Sequence, residues 1–117
     1  MSVFVLDYDH NAPTNEHLEN THEKMFLAIR KENPTLPILI LSRPNYRLNE
    51  MERRRRNIIK RTYENALLRG DKKVYFLDGK KLMAIAKGEG QVDGCHPTDL
   101  GFFSMAKAII KEMKKFL

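Results

Sequence analysis

Cysteine is nearly missing from this chain of 117 residues, with Cys95 the only one. That excludes an intrachain disulfide and argues against a cysteine-based zinc site. Long apolar runs are missing too: none approaches the roughly 20 residues of a membrane span. There is no charged start followed by an apolar stretch, the mark of a signal peptide. As written, the chain is expected to be soluble and cytoplasmic, with no membrane partner. Repeats, low-complexity segments and linkers are also lacking. The expectation is a single domain over residues 1–117, with a modest core.

What the sequence has in excess is positive charge, a net +6. The surplus is concentrated in Arg53–Arg56, Lys60-Arg61, Lys72-Lys73, Lys80-Lys81 and the C-terminal lysines. Most of these fall on the polar faces of predicted helices, so the expected reading is a solvated surface. A basic nucleic-acid-binding module built on Arg53–Arg56 is a minor alternative.

Val3-Phe4-Val5-Leu6 reads as a buried strand ending at Asp7. Thr14 or Asn15 can cap a helix over about 15–32, with Leu18, Met25 and Ile29 on its inner face. Asn33-Pro34 stops it, because a residue before proline avoids helical geometry. Leu36–Ser42 is apolar on both faces, as a parallel strand covered on both sides must be. A second helix is predicted over about 48–69, with Met51, Ile58, Ile59, Thr62, Ala66 and Leu67 as its stripe and Gly70 as its stop. Residues 73–78 form a third strand, and 79–86 a short helix. Gly88-Glu89-Gly90 reads as a flexible loop. The last helix is predicted over about 98–116, with Phe103, Ala106, Ile110, Met113 and Leu117 as its apolar face. Strands alternating with helices imply a parallel sheet, here of only about three strands, with helices on both faces.

Ligands of such sheets bind beyond the carboxyl ends of the strands. The loops leaving those ends start at Asp7, Ser42 and Asp78, and the loop of Asp93 and His96 can reach the same edge. Asp93 and His96 stand three residues apart, so one turn brings carboxylate and imidazole within hydrogen-bond reach. The carboxylate would hold the Nδ1 proton and leave Nε2 as a general base. Pro97 restricts His96 to extended backbone and suits a helix start.

The segment Val92-Asp93-Gly94-Cys95-His96-Pro97-Thr98-Asp99-Leu100-Gly101 resembles the DxxHP block of the SGNH, or GDSL-like, hydrolases, with its glycine on the following helix. Phe4–Pro13 is similar to the block that carries that family's oxyanion asparagine. The resemblance implies a three-layer α/β, flavodoxin-like fold. It also implies His96 as catalytic base, Asp93 as its orienting acid and Asn11 as an oxyanion donor, with no metal and no cofactor. The implied substrate is a small-molecule or carbohydrate acyl ester, attacked by a serine hydroxyl.

The family's Gly-Asp-Ser block is absent from these residues, as is its oxyanion glycine block. The chain therefore looks like the C-terminal portion of such a hydrolase, truncated to about three strands and inactive alone. Ser42 and Ser104 do not stand at the nucleophile's place. Cys95 beside His96 would point away from it along extended backbone and is expected to pack under the loop. Two other readings stay open. The exposed sheet edge at Val3–Asp7 suits a non-catalytic module that homodimerises. Asp7-x-Asp9 resembles the nucleophile motif of haloacid-dehalogenase-like phosphatases, although the paired acids for a magnesium ion lack candidates. His10, His17 and His22 are expected to be solvated or at the boundary, and Asp7 and Asp9 to fix their loop through backbone N–H groups.

Overall fold

A computed structural model describes residues 2–91 and 96–117. Strand β1 (Phe4–Asp7) leads through a 3-10 turn (Asp9–Asn11) into helix α1 (Asn15–Glu32). Strand β2 (Ile38–Leu41), helix α2 (Glu50–Leu68), strand β3 (Val74–Leu77) and the short helix α3 (Gly79–Leu82) follow. A 3-10 turn (Lys87–Gly90) precedes helix α4 (Asp99–Met113). The strands form one parallel sheet in the order β1-β2-β3, with Phe4 beside Ile38 and Ile38 beside Val74. Among the described residues no helix is long and apolar enough to cross a membrane.

The sheet separates two apolar layers, because successive strand residues point to opposite faces. Leu6, Ile38, Ile40 and Val74 pack against Leu18, Phe26, Ile59 and Ala66 of α1 and α2. Leu39, Leu41 and Leu77 pack against Leu82 and against Met105, Ala108, Ile109 and Met113 of α4. All four residues of β2 are buried, as expected for the central strand. The fold is thus three-layer α/β with helices on both faces.

Local chemistry sets the helix ends. Thr14 Oγ1 accepts from His17 N at 3.0 Å, which opens α1. Asn49 and Glu52 form a reciprocal capping box at the start of α2, satisfying two N–H groups that the helix leaves unpaired. Gly70 follows the C-cap with φ of 87°, a left-handed geometry that glycine tolerates best.

The faces differ from expectation in three helices. In α4 the observed face is rotated from the expected one: Phe103 is 52% and Ile110 51% exposed, while Met113 packs as expected beside Met105, Ala108 and Ile109. In α1 the buried row is Leu18, His22 and Phe26, so Met25 is exposed and His22 is no boundary residue. In α2 the expected stripe residues Met51 and Leu67 are exposed, and Arg55, expected to be solvated, is buried. Residues 88–90 are no open loop either. Gly90 is buried, and a Cβ on Gly101 would lie 2.0 Å from its carbonyl oxygen.

Candidate active site

Asn11 closes the 3-10 turn beyond the carboxyl end of β1, and its side chain is exposed. The turn is fixed by a buried charge cluster. Asp9 is fully buried, with Oδ1 accepting from Arg55 Nε at 2.9 Å and from Arg43 Nε at 3.2 Å. The Arg55 guanidinium also donates to the Ala12 carbonyl at 2.8 Å, to Asn15 Oδ1 at 3.1 Å and to the Asp9 carbonyl. One side chain from α2 therefore holds both ends of the turn and the start of α1. The expected bonding of Asp9 to backbone N–H groups gives way to pairing with two guanidinium groups. His10, exposed in the same turn, has its pKa lowered below 6.5, first by partial burial and then by the charge of Arg43. Asp7, at the end of β1, is pushed above the usual carboxylate range, chiefly by desolvation.

His96 stands in the loop before α4 and is exposed. Asp93 and Cys95 lie outside the described residues. The base of this loop is closed on both sides. Gln91 and Pro97 form an antiparallel bridge. Thr98 N donates to the Gly90 carbonyl at 2.8 Å, and Thr98 Oγ1 caps α4 through Gly101 N at 3.1 Å. The loop is also tied to the rest of the edge, for Gln91 Nε2 donates to the Pro44 carbonyl at 2.7 Å. Arg43, one residue earlier, pairs with Asp9. The Asn11 turn, the loop after β2 and the His96 loop are thus joined along the carboxyl edge of the sheet.

The serines of the chain lie elsewhere or are engaged in buried hydrogen bonds. The sequence holds three: Ser2, Ser42 and Ser104. Ser42 is buried and its Oγ accepts from Gly79 N at 2.7 Å. Ser104 is buried in α4, donates to the Leu82 carbonyl at 2.6 Å and accepts from Ile85 N at 3.2 Å. Ser2 precedes β1, at the opposite end of the strand.

Asp7 and Asp9 form no metal cradle. Asp9 is neutralised by two arginines, and among the described residues no group of three or more His, Cys, Asp or Glu could hold an ion. The phosphatase reading fails on that geometry. In the arginine row Arg55 turns inward, whereas Arg53 and Arg54 are exposed. Sequence reasoning missed Arg43, Arg55 and Glu52 as organisers of the edge. The available signal was an acidic residue in the Asn11 turn with arginines near the ends of two later elements.

The GDSL-like lipase/acylhydrolase family profile matches residues 1–114. No curated protein matches. A solved structure described as a GDSL-like lipase from Bacteroides ovatus superposes with a TM-score of 0.74 at 28% identity, covering 97% of this chain and 36% of its own. The salicylyl-acyltransferase SsfX3 of a tetracycline biosynthetic pathway shares the fold, with a TM-score of 0.73 at 19% identity over 97% of this chain and 37% of its own. The chain thus spans little more than a third of the length of these solved structures. With its strand order, its two-sided helical cover and a profile match over nearly its whole length, the chain belongs to the GDSL-like lipase/acylhydrolase family.

Proposed function

We propose that these residues are the part of a serine ester hydrolase that carries the base and one oxyanion donor, while the nucleophile comes from a segment outside them. The observation that carries this reading is the tethering of the Asn11 turn and the His96 loop to one sheet edge through Asp9, Arg43, Pro44 and Gln91. His96 takes the hydroxyl proton of the incoming serine as its oxygen attacks the ester carbonyl carbon. Asp93 orients the imidazole and stabilises its charged form. The Asn11 amide donates to the developing oxyanion, an interaction worth about 3 kcal/mol of barrier in comparable sites. His96 then returns the proton to the departing alkoxide. Water, activated by the same base, releases the acid from the acyl-enzyme.

The test is to extend the chain at its amino end with a strand–turn–helix bearing the family's Gly-Asp-Ser block, then measure ester hydrolysis. His96→Ala should remove nearly all activity. Asn11→Ala should lower kcat by roughly 100-fold with little change in KM. Full activity in His96→Ala would end the assignment.

A second reading has its own observation. β1 is an outer strand of the sheet, and Val5 is 40% exposed on the α4 side. An unpaired parallel edge with an apolar residue is a template for a further strand, so the isolated chain should homodimerise there. Light scattering at micromolar concentration tests this, and a monomer would count against it.

A further inference from the structure

Between the segment after β2, the start of α2 and the start of α3 lies an open cleft of about 300 Å³ lined by Tyr46, Arg47, Leu48, Arg53, Arg56 and Lys80. Its charge is lopsided. Four cations line it, and Asp78 supplies one carboxylate, 3.5 Å from Arg56. Among the described residues Arg47, Arg53 and Lys80 form no ion pair, whereas Arg61, outside the cleft, is paired to Glu19 at 2.8 Å. Two of the four cations have local partners. Arg53 Nη1 donates to the Leu48 carbonyl at 2.7 Å, and Lys80 Nζ lies over the Tyr46 ring at 5.4 Å. Four cations with one carboxylate between them leave an excess of positive charge, which favours an incoming anion.

The cleft is built into the fold. Glu52 accepts from Asn49 N at 3.3 Å and from Asn45 Nδ2 at 2.9 Å, so the segment before α2 is buttressed from beneath. Lys80 is positioned by Gly79, whose missing Cβ would fall 1.6 Å from the Arg43 carbonyl oxygen. That contact packs the start of α3 against the Arg43–Pro44 backbone. The Pro44 carbonyl receives the Gln91 side chain. The cleft and the His96 loop therefore share one backbone segment.

We propose that this cleft binds an anionic group, a carboxylate, phosphate or sulfate, on the acid or alcohol part of the ester substrate. The site for the anion stands on the geometry of the cleft. Its assignment to the substrate rests on the hydrolase reading above. Arg53 and Lys80 would be specificity residues without a part in the bond-making steps.

The binding test uses the 117-residue chain and needs no turnover, so it stands apart from the roles of His96 and Asn11. Inorganic phosphate is titrated at low ionic strength while backbone amide shifts are followed. Saturable shifts confined to about residues 46–56 and 78–82 are expected. The midpoint should rise at least about fivefold in Arg53→Ala and in Lys80→Ala, and less than about twofold in Arg61→Ala. Two cleft variants guard against a folding defect in one. Shifts spread over all basic surfaces, or an equal loss in Arg61→Ala, would overturn the site. Duplex DNA binding that Arg61→Ala and Arg54→Ala weaken as strongly as Arg53→Ala would overturn it in favour of a diffuse basic surface. In a chain extended with the nucleophile block, Arg53→Ala should reduce kcat/KM for 4-nitrophenyl hydrogen succinate by about tenfold more than for 4-nitrophenyl acetate. Equal losses would overturn the substrate assignment while leaving the anion site standing.

Discussion

The Asn11 turn and the His96 loop meet at one sheet edge but are held there by opposite means. The first is braced by buried charge: Asp9, with Arg43 and Arg55 reaching in from later elements. The second is braced mainly by close backbone approach, with Gly90 against Gly101, Thr98 N donating to the Gly90 carbonyl and Gln91 bridging to Pro97. A buried charge cluster fixes direction strongly but is sensitive to losing any member. A glycine contact fixes position with no side chains and fails when atoms are added. The two anchors should therefore break under different substitutions, and each should leave the other loop in place.

Removing Arg55 should have the largest effect. Arg55→Ala leaves Asp9 buried with Arg43 alone and frees the Ala12 carbonyl, and it should cost about 3–5 kcal/mol in urea unfolding. Amide exchange should accelerate at residues 9–12 and stay near wild type at Thr98, whose N–H is bonded to the Gly90 carbonyl. Loss of protection in both loops alike would erase the contrast.

The next effect reads the neighbourhood of the charge cluster through pH. His22 lies on the buried face of α1, with Nδ1 2.7 Å from Thr62 Oγ1 and Nε2 without a partner among the described residues. Burial depresses its pKa from 6.5 to about 4, against the opposing pull of Asp9 and Glu23. The unfolded chain takes up this proton near pH 6.5 and the folded chain only near pH 4. Stability should therefore fall as pH drops through that window, by up to about 3 kcal/mol. His22→Leu should flatten the dependence, measured as urea midpoints at pH 7.5 and 4.5. An unchanged slope would remove His22 from the account.

Gly101→Ala should come third, at about 1–3 kcal/mol. The added Cβ meets the Gly90 carbonyl and must displace the base of the His96 loop. Here amide exchange should accelerate at Thr98 and not at 9–12, the reverse of Arg55→Ala. Gln91→Ala should be smallest, about 1 kcal/mol, because it removes the hydrogen bond to Pro44. Its effect should appear mainly as looser coupling between the two loops in the extended, active chain.

The same contrast explains what was legible in the sequence. The block around the glycine-braced loop was legible as a family resemblance, because His96, Pro97 and Gly101 lie within one short stretch of sequence. The structure adds the steric reason for Gly101. The strand and helix order was legible too, since β2 is apolar throughout and proline or glycine marks the helix stops. The charge-braced turn was not, because its members are separated by 34 and 46 positions and no local pattern links them. Arg55 sits in a run of four arginines, and only the placement of α2 against the turn decides which of them points inward. Helix faces failed for a related reason. In α4 two apolar rows compete, and periodicity alone cannot say whether Ile109 or Ile110 meets the sheet.

In the proposed function the chain carries a base and an oxyanion donor and takes its nucleophile from a segment outside these residues. Hydrolysis of 4-nitrophenyl acetate by the purified 117-residue chain tests it most directly. The account predicts no sustained turnover above buffer, and no difference between wild type and His96→Ala. Sustained hydrolysis that His96→Ala abolishes would contradict it.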